Sequence, residues 1–315
     1  MDANGSLFFP PANSTIAPEV DGLFQFILIV SIIFFIIVVG GSIFFMLRYR
    51  KKAESDFTPD ISFNRNLEIL WTVIPTILVI IVFFWGFRTY LKMHIIPANA
   101  LQVKVTAQKW FWQFDYDNGA NSTNELVVPV DKPVKVMLSS QDVIHSFYIP
   151  NFRVKMDVLP NRYTLAWFEA NQVGEYNLFC TEYCGTGHSK MTGKVTVLSQ
   201  RDFNDWLESG SGAGEGLSLV DYGAKLYKSK ACVTCHSTDG SPGTGPTFSG
   251  LFGHSVQFTD GSSLTADENY IRESILQPQA KVVEGFQPVM PTFQGILKDR
   301  DIDALVAYIK SLNEN

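Results

Sequence analysis

Residues 23–47 read LFQFILIVSIIFFIIVVGGSIFFML, and none of these positions carries a charge. At ~1.5 Å of rise per residue, a helix of this length outreaches the ~30 Å hydrocarbon core of a bilayer. Residues 69–87, ILWTVIPTILVIIVFFWGF, form a second span. Pro75 within it is tolerable where neighbouring helices satisfy the freed carbonyl. Between the spans lies RYRKKAESDF, with Arg48, Arg50, Lys51 and Lys52, whereas the tail before the first span has no Lys or Arg. The positive-inside rule then puts the connector in the cytoplasm and both termini outside. The tail also lacks a basic n-region, so it does not read as a signal peptide. The expected order is an extracytoplasmic tail (1–22), a transmembrane hairpin (23–90) and a large outer portion.

The composition agrees. The chain of 315 residues is 46% hydrophobic and 13% aromatic, with 25 Phe, which is rich for a soluble protein. A net charge of -6 and the lack of a basic stripe argue against a nucleic-acid partner.

The outer portion changes character part-way along. LQVKVTAQKWFWQFDY, ELVVPVD, PVKVMLSS and YTLAWFEA alternate with period two and are rich in Val, Phe, Tyr and Trp. Turn signals such as Asp117-Asn118-Gly119 separate them, which predicts a β-sandwich over 91–200. ESGSGAGEGLS, at 208–218, has the composition of a flexible linker, assigned to 201–218. Beyond it the pattern turns helical: residues 222–230 are amphipathic, and DIDALVAYIKSL places Ile302, Leu305, Tyr308, Ile309 and Leu312 on one face. The last domain, 219–315, is therefore expected to be all-α.

All four cysteines fall in two close pairs. Cys232-Val-Thr-Cys235-His236 is the haem c attachment pattern, in which two thiols hold the haem vinyl groups and the histidine reaches the iron. A thioredoxin-like pair would need a βαβ context that is missing here. Met290, the one methionine after Ser199, is the candidate second axial ligand, and Met/His ligation raises the potential. The competing role is a core methionine.

The other pair sits in CTEYCGTGHSKM, residues 180–191. A disulfide between Cys180 and Cys184 leaves His188 and Met191 unexplained. Zinc could use both thiolates and two histidines, but a thioether adds nothing to it. Copper uses every piece, since soft thiolates and a thioether suit Cu(I) and imidazoles suit both oxidation states. The further imidazole is His145, in DVIHSFYIP. Two bridging thiolates and two imidazoles suffice for a compact pair of copper ions. His94 and His254 read as surface or packing residues.

GAKLYKSKACVTCH, GPTFSGLFG, VMP and ALVAYIKSL resemble a class I cytochrome c over 219–315. That resemblance implies packing of the first and last helices at Gly223 and Tyr308, and support of His236 by the Pro246 carbonyl. HSFYIPNFRVKMDVLPNR and CTEYCGTGHSKM resemble subunit II of haem–copper cytochrome c oxidase, and the chain as a whole resembles the caa-type form. The fold so implied is multidomain: a transmembrane hairpin, a cupredoxin-like Greek-key β-sandwich and an all-α cytochrome c domain. The implied ligands of a binuclear CuA centre are His145, Cys180, Cys184, His188, Met191 and the backbone carbonyl of Glu182. The Glu182 side chain would face a magnesium at the subunit I boundary. KWFWQFDY matches the family's electron gateway, with Trp110 in that role and a core aromatic as the alternative. Glu68, before WTVIP, would mark the mouth of a proton path, or simply cap the second span.

The resemblance implies an electron relay in a bacterial inner membrane, with both redox domains on the periplasmic side. Electrons would pass from haem c to CuA and on to subunit I, where haem a and CuB reduce oxygen to water with proton translocation. The other partners implied are further oxidase subunits and a donor, either cytochrome c or an upstream respiratory complex. The linker would tether donor to acceptor and raise their effective concentration. A stand-alone membrane-anchored carrier would not need the paired spans with Glu68. A nitrous-oxide-reductase-like protein would need a His-rich copper cluster that five histidines cannot supply. Quinol oxidase subunits lack the copper ligands.

Overall fold

The computed structural model describes residues 5–52, 63–210 and 217–313. The end of the connector between the spans (53–57) and the middle of the expected linker (211–216) lie outside the described residues. The chain divides into two compact units, residues 15–96 and residues 1–14 with 97–315.

The smaller unit is the helical hairpin. Helix α1 (Ala17–Phe35), a π-helical turn (Ile36–Gly40) and α2 (Gly41–Arg48) continue as one rod of 32 residues. Helix α3 (Arg65–His94) adds 30 residues and keeps Pro75 inside it. Their most apolar windows reach mean hydropathies of 3.0 and 2.5 with none of the window buried within the protein. Phe, Ile and Val therefore face outward along both rods, which suits lipid and not water. Asn64 caps α3 by accepting a hydrogen bond from Leu67 N, and Glu68 sits in its first turn. Phe26 and Trp85 pair their rings between the rods, and Lys92 forms an ion pair with Glu19.

The larger unit begins with a tail that packs on the sandwich. Arg153 is nearly buried, donates to the carbonyls of Pro150 and Pro10, and lies over the Phe9 ring. Within the expected tail of 1–22, α1 already starts at Ala17, with Pro18 in its first turn.

The strands run β1 (Leu101–Gln108), β2 (Phe111–Tyr116), β3 (Asn121–Thr123), β4 (Glu125–Pro129) and β5 (Pro133–Ser140). They continue as β6 (His145–Ile149), β7 (Val154–Val158), β8 (Thr164–Glu169), β9 (Gly174–Cys180) and β10 (Thr192–Leu198). One sheet has the order β3-β2-β1-β5-β8 and the other β4-β10-β9-β6-β7. The pairs β1·β5 and β4·β10 are parallel, the mark of long crossovers between the sheets. Alternate residues of each strand point inward, as in the buried–intermediate alternation of β5. Trp112, Phe114, Phe147, Phe152 and Phe168 fill the space between the sheets.

The expected linker does not begin at residue 201. Residues 200–210 form α4 (Gln200–Gly210), with Ser199 accepting from Asp202 N at its start. Phe203 is buried, and Trp206 meets Tyr116 edge-on at 5.0 Å. The apolar residues Phe203, Trp206 and Leu207 have helical spacing, but the polar run after them dominated the compositional reading.

The C-terminal part is helical. It holds α5 (Leu219–Ser229), a short hairpin of β11 (Ser255–Gln257) and β12 (Ser263–Thr265), α6 (Glu268–Leu276) and α7 (Asp299–Ser311). Helices α5 and α7 cross at Gly223, where an added Cβ would lie 2.0 Å from Ala304 O and 2.6 Å from Tyr308 Cβ. The crossing implied by the resemblance is therefore present, and glycine is what lets the backbones approach. Gly223→Val should destabilise this domain by about 1–3 kcal/mol or more. Thermal unfolding followed at the haem absorbance would check this; an unchanged midpoint would contradict the crossing.

Candidate functional site

The loop after β9 folds back on itself. Cys180 N donates to Met191 O, Thr181 N to Ser146 O and His188 N to Gly185 O. These bonds bring the end of β9, the start of β6 and a short 3-10 turn at His188–Lys190 to one point. The ligating atoms of His145, Cys180 and Cys184 all lie within 4.8 Å of one another. The two Sγ atoms are 3.9 Å apart. A disulfide needs about 2.05 Å, so this spacing suits a bridging ion. His145 Nδ1 lies 3.8 Å from Cys180 Sγ, and His188 Nδ1 lies 3.5 Å from Cys184 Sγ. Met191 Sδ is 3.8 Å from Cys184 Sγ, and Glu182 O is 3.3 Å from Cys180 Sγ. Thus all six positions singled out for the centre converge, five through side chains and Glu182 through its carbonyl. The Glu182 side chain is exposed.

Protonation follows from the partners. Asp142 Oδ1 lies 2.8 Å from His145 Nε2. A carboxylate accepts, so Nε2 carries the proton and Nδ1 turns a lone pair to the sulfurs. Burial acts against the charge on Asp142, but hydrogen bonds from His145 and from the backbone N–H groups of Lys109 and Val143 hold its carboxyl below the usual range. Burial likewise opposes charge on His145, but Asp142 and Cys180 together outweigh it and raise the imidazole. Burial pushes the Cys180 thiol up, yet contacts with His145 and with backbone at Ser146 and Glu182 bring it down to about 6. Burial and the neighbouring Cys180 charge push Cys184 up to about 12. Two thiolates this close are not both stable without a cation between them. The donor set of two sulfurs, a thioether and two oriented imidazoles fits soft, redox-active copper better than zinc.

Asp142 was not among the candidates from sequence. Its signal is the DVIH spacing, which puts a carboxylate three residues before the ligand. The two tryptophans of KWFWQFDY, which sequence could not separate, take different places. Trp112 is wholly buried in the sandwich core and meets His145 edge-on at 6.2 Å. Trp110 lies on the copper loop: its Nε1 donates to Cys184 O at 3.1 Å. A Cβ at Gly187 would come within 2.3 Å of the Trp110 ring, so the loop backbone must be bare there.

The second constellation lines a cleft that is partly open to solvent. Cys232, Cys235, His236 and Met290 line it, and so do Trp110 and Phe111 from the sandwich. Phe248 stacks on the His236 ring at 4.5 Å. His236 Nδ1 lies 2.7 Å from Pro246 O. A carbonyl only accepts, so Nδ1–H donates and Nε2 keeps its lone pair. Burial lowers the His236 pKa, with the Pro246 contact acting the other way, which leaves the ring neutral and fit to ligate. The lining is mostly apolar, two thiols and a histidine sit on one segment, and a thioether sits on another. That combination fits a covalently held haem.

Glu68, in the hairpin unit, is half-exposed in the first turn of α3. His94 stacks on Tyr90 and contacts its carbonyl, and His254 contacts the carbonyl of Phe252.

Known proteins match the chain along its length. The transmembrane domain of cytochrome c oxidase subunit II matches residues 2–89, the periplasmic domain of that subunit matches 119–198, and cytochrome c matches 220–313. Cytochrome c oxidase subunit 2 of Alkalihalophilus pseudofirmus is 31% identical over 284 residues, covering 86% of this chain and 81% of the relative. The subunit 2 of Cereibacter sphaeroides is 29% identical, covering 69% of this chain and 84% of the relative. Among solved structures, the periplasmic domain of cytochrome oxidase subunit II of Bradyrhizobium japonicum is 32% identical. It covers 38% of this chain and 98% of its own, with a TM-score of 0.36. The order of the matched domains and the length of the first relative that is covered carry the conclusion: the chain belongs to the cytochrome c oxidase subunit II family, as a two-span membrane protein with a cytochrome c domain fused at its C-terminal end.

Proposed function

We propose that this chain is the electron-input subunit of a caa-type terminal oxidase and relays electrons from haem c to a CuA pair and then to subunit I. The observation that carries this reading is the position of Trp110, which lines the haem cavity and donates a hydrogen bond to the carbonyl of Cys184. One side chain thus touches both constellations, and an aromatic bridge shortens the gap an electron must cross.

Cys232 and Cys235 would hold the haem covalently, and His236 and Met290 would ligate its iron. His145, Cys180, Cys184, His188, Met191 and the Glu182 carbonyl hold the coppers. When bound, these groups each exchange one electron with little change of shape. The chain supplies the rest. Asp142 fixes the ring of His145, and Pro246 fixes that of His236. Met191 is almost fully buried, which keeps the copper site dry and stiff.

Oxygen reduction to water and proton translocation belong to subunit I, which carries haem a and CuB. The Glu182 carboxylate, exposed beside the copper loop, would bind a magnesium at the subunit I boundary. Glu68 would stand at the cytoplasmic mouth of a proton path in that subunit. The basic cluster at the end of α2 supports a topology with both redox domains on the periplasmic side of a bacterial inner membrane. The donor is a cytochrome c or an upstream respiratory complex, alongside further oxidase subunits.

Cys184→Ser should leave haem c attached and reducible while oxygen consumption falls by more than about 100-fold, beyond the 10–100-fold typical of outer-sphere changes. Normal oxygen consumption would refute the copper assignment. Met290→Ala should keep the haem attached and lower its potential by on the order of 0.1 V, a fraction of the ~0.8 V range commanded by axial ligands. A redox titration giving an unchanged potential would remove Met290 from the iron.

A further inference from the structure

The haem cavity has two walls, and one of them is the sandwich. Phe111, in β2, is 5% exposed, yet it is buried among the core residues of the cytochrome c domain and not those of its own sheets. Its ring stacks on Phe293 with centroids 5.9 Å apart and planes 7° from parallel. From the other side, Cys235 and Val289 pack against the sandwich core. A polar contact closes the same seam. Lys230, just past α5, donates from Nζ to Asn121 Oδ1 at 2.8 Å and is 9% exposed.

A buried lysine is informative here. Removing an ammonium from water is costly, and a domain hanging loosely on a linker would leave that group solvated. Burial does lower the Lys230 pKa, and the carboxylates of Asp301 in α7 and Asp115 in β2 work against that shift, one from each domain. The lysine is thus accommodated by groups from both sides of one fitted seam. Under the seam lies Trp110, 4% exposed, with no open face for an outside protein.

We propose that the Phe111–Phe293 stack and the Lys230–Asn121 contact form a latch that seats the cytochrome c domain over Trp110. The copper loop then takes electrons only from this chain's own haem, and a free carrier meets the cytochrome c domain alone. This rests on the relay reading above. In the transfer, iron(II) haem loses one electron and the copper pair gains it; no bond forms and no proton moves. The linker then no longer sets the encounter, because donor and acceptor stay docked. A tethered pair that must find each other would slow in a viscous solvent, and a docked pair would not.

The test uses the full-length, metal-loaded protein. Acetic anhydride labelling read by mass spectrometry should modify Lys230 about tenfold more slowly than exposed Lys228 on the same segment, as expected for a group reached only by local opening. Haem-to-copper transfer, started by flash photoreduction of the haem with a ruthenium complex, should not change as sucrose is added. Asn121 lines neither the haem cavity nor the copper loop. Asn121→Lys sets a second ammonium against Lys230; it should raise Lys230 labelling to the Lys228 rate and make transfer slower and viscosity-dependent. Asn121→Asp should keep Lys230 protected. Wild-type Lys230 labelling as fast as Lys228, wild-type transfer slowing in proportion to viscosity, or an Asn121→Lys protein indistinguishable from wild type would each overturn the latch. A protein that binds no haem or no copper would overturn the relay instead, while the labelling still reports on the seam.

Discussion

The contact between Trp110 and the loop of residues 180–191 is the constraint on which the rest of this architecture depends. The indole packs on loop backbone that glycines at 185 and 187 leave bare, and its N–H is spent on the carbonyl of Cys184. That single placement makes the end of one sheet's strand part of the copper loop on one side and of the haem cavity on the other. The β1–β2 turn must therefore be held stiffly. Lys109 N does this by donating to Asp142, the same carboxylate that orients His145. One acid thus ties the turn that carries Trp110 to His145, and its partial burial makes both bonds stronger than they would be in water.

The electrostatics of the two sites follow opposite rules. At the sulfur pair, burial and mutual repulsion drive the two thiols apart in acidity, so full ionisation awaits a cation. At the haem cavity burial is the largest influence: it lowers the His236 pKa and pushes the Cys232 thiol, while it is free, up to about 12. The first site is built for positive charge from a metal. The second, with its mostly apolar lining, suits an apolar ring system.

Much of this was legible in the sequence, for physical reasons. An uncharged run of 25 residues has few fates other than a bilayer, and period-two alternation in 101–116 has few other than a sheet. Metal and haem motifs are readable because ligands must be of fixed type, and turn spacing confines where they recur. What escaped was long-range or weakly patterned. Helix α4 was hidden because three apolar residues in a polar stretch were outvoted by the glycines and serines that follow. Asp142 was hidden because its role is a hydrogen bond to a neighbour and not a ligand bond. Trp110 and Trp112 share a strand pattern, and only the three-dimensional loop tells them apart. Phe111 was the least legible of all: its partner Phe293 lies in another domain, and no local pattern marks a residue that leaves its own core.

The account stands on two metal-bearing sites in one chain. Metal analysis of the full-length protein, together with its optical spectrum before and after reduction, tests this most directly. The account predicts two coppers and one haem iron per chain, with the haem resistant to extraction by acid acetone and both coppers lost together in Cys184→Ser. A single zinc in place of the coppers, or a Cys180–Cys184 disulfide in the protein purified under native conditions with no copper bound, would contradict it.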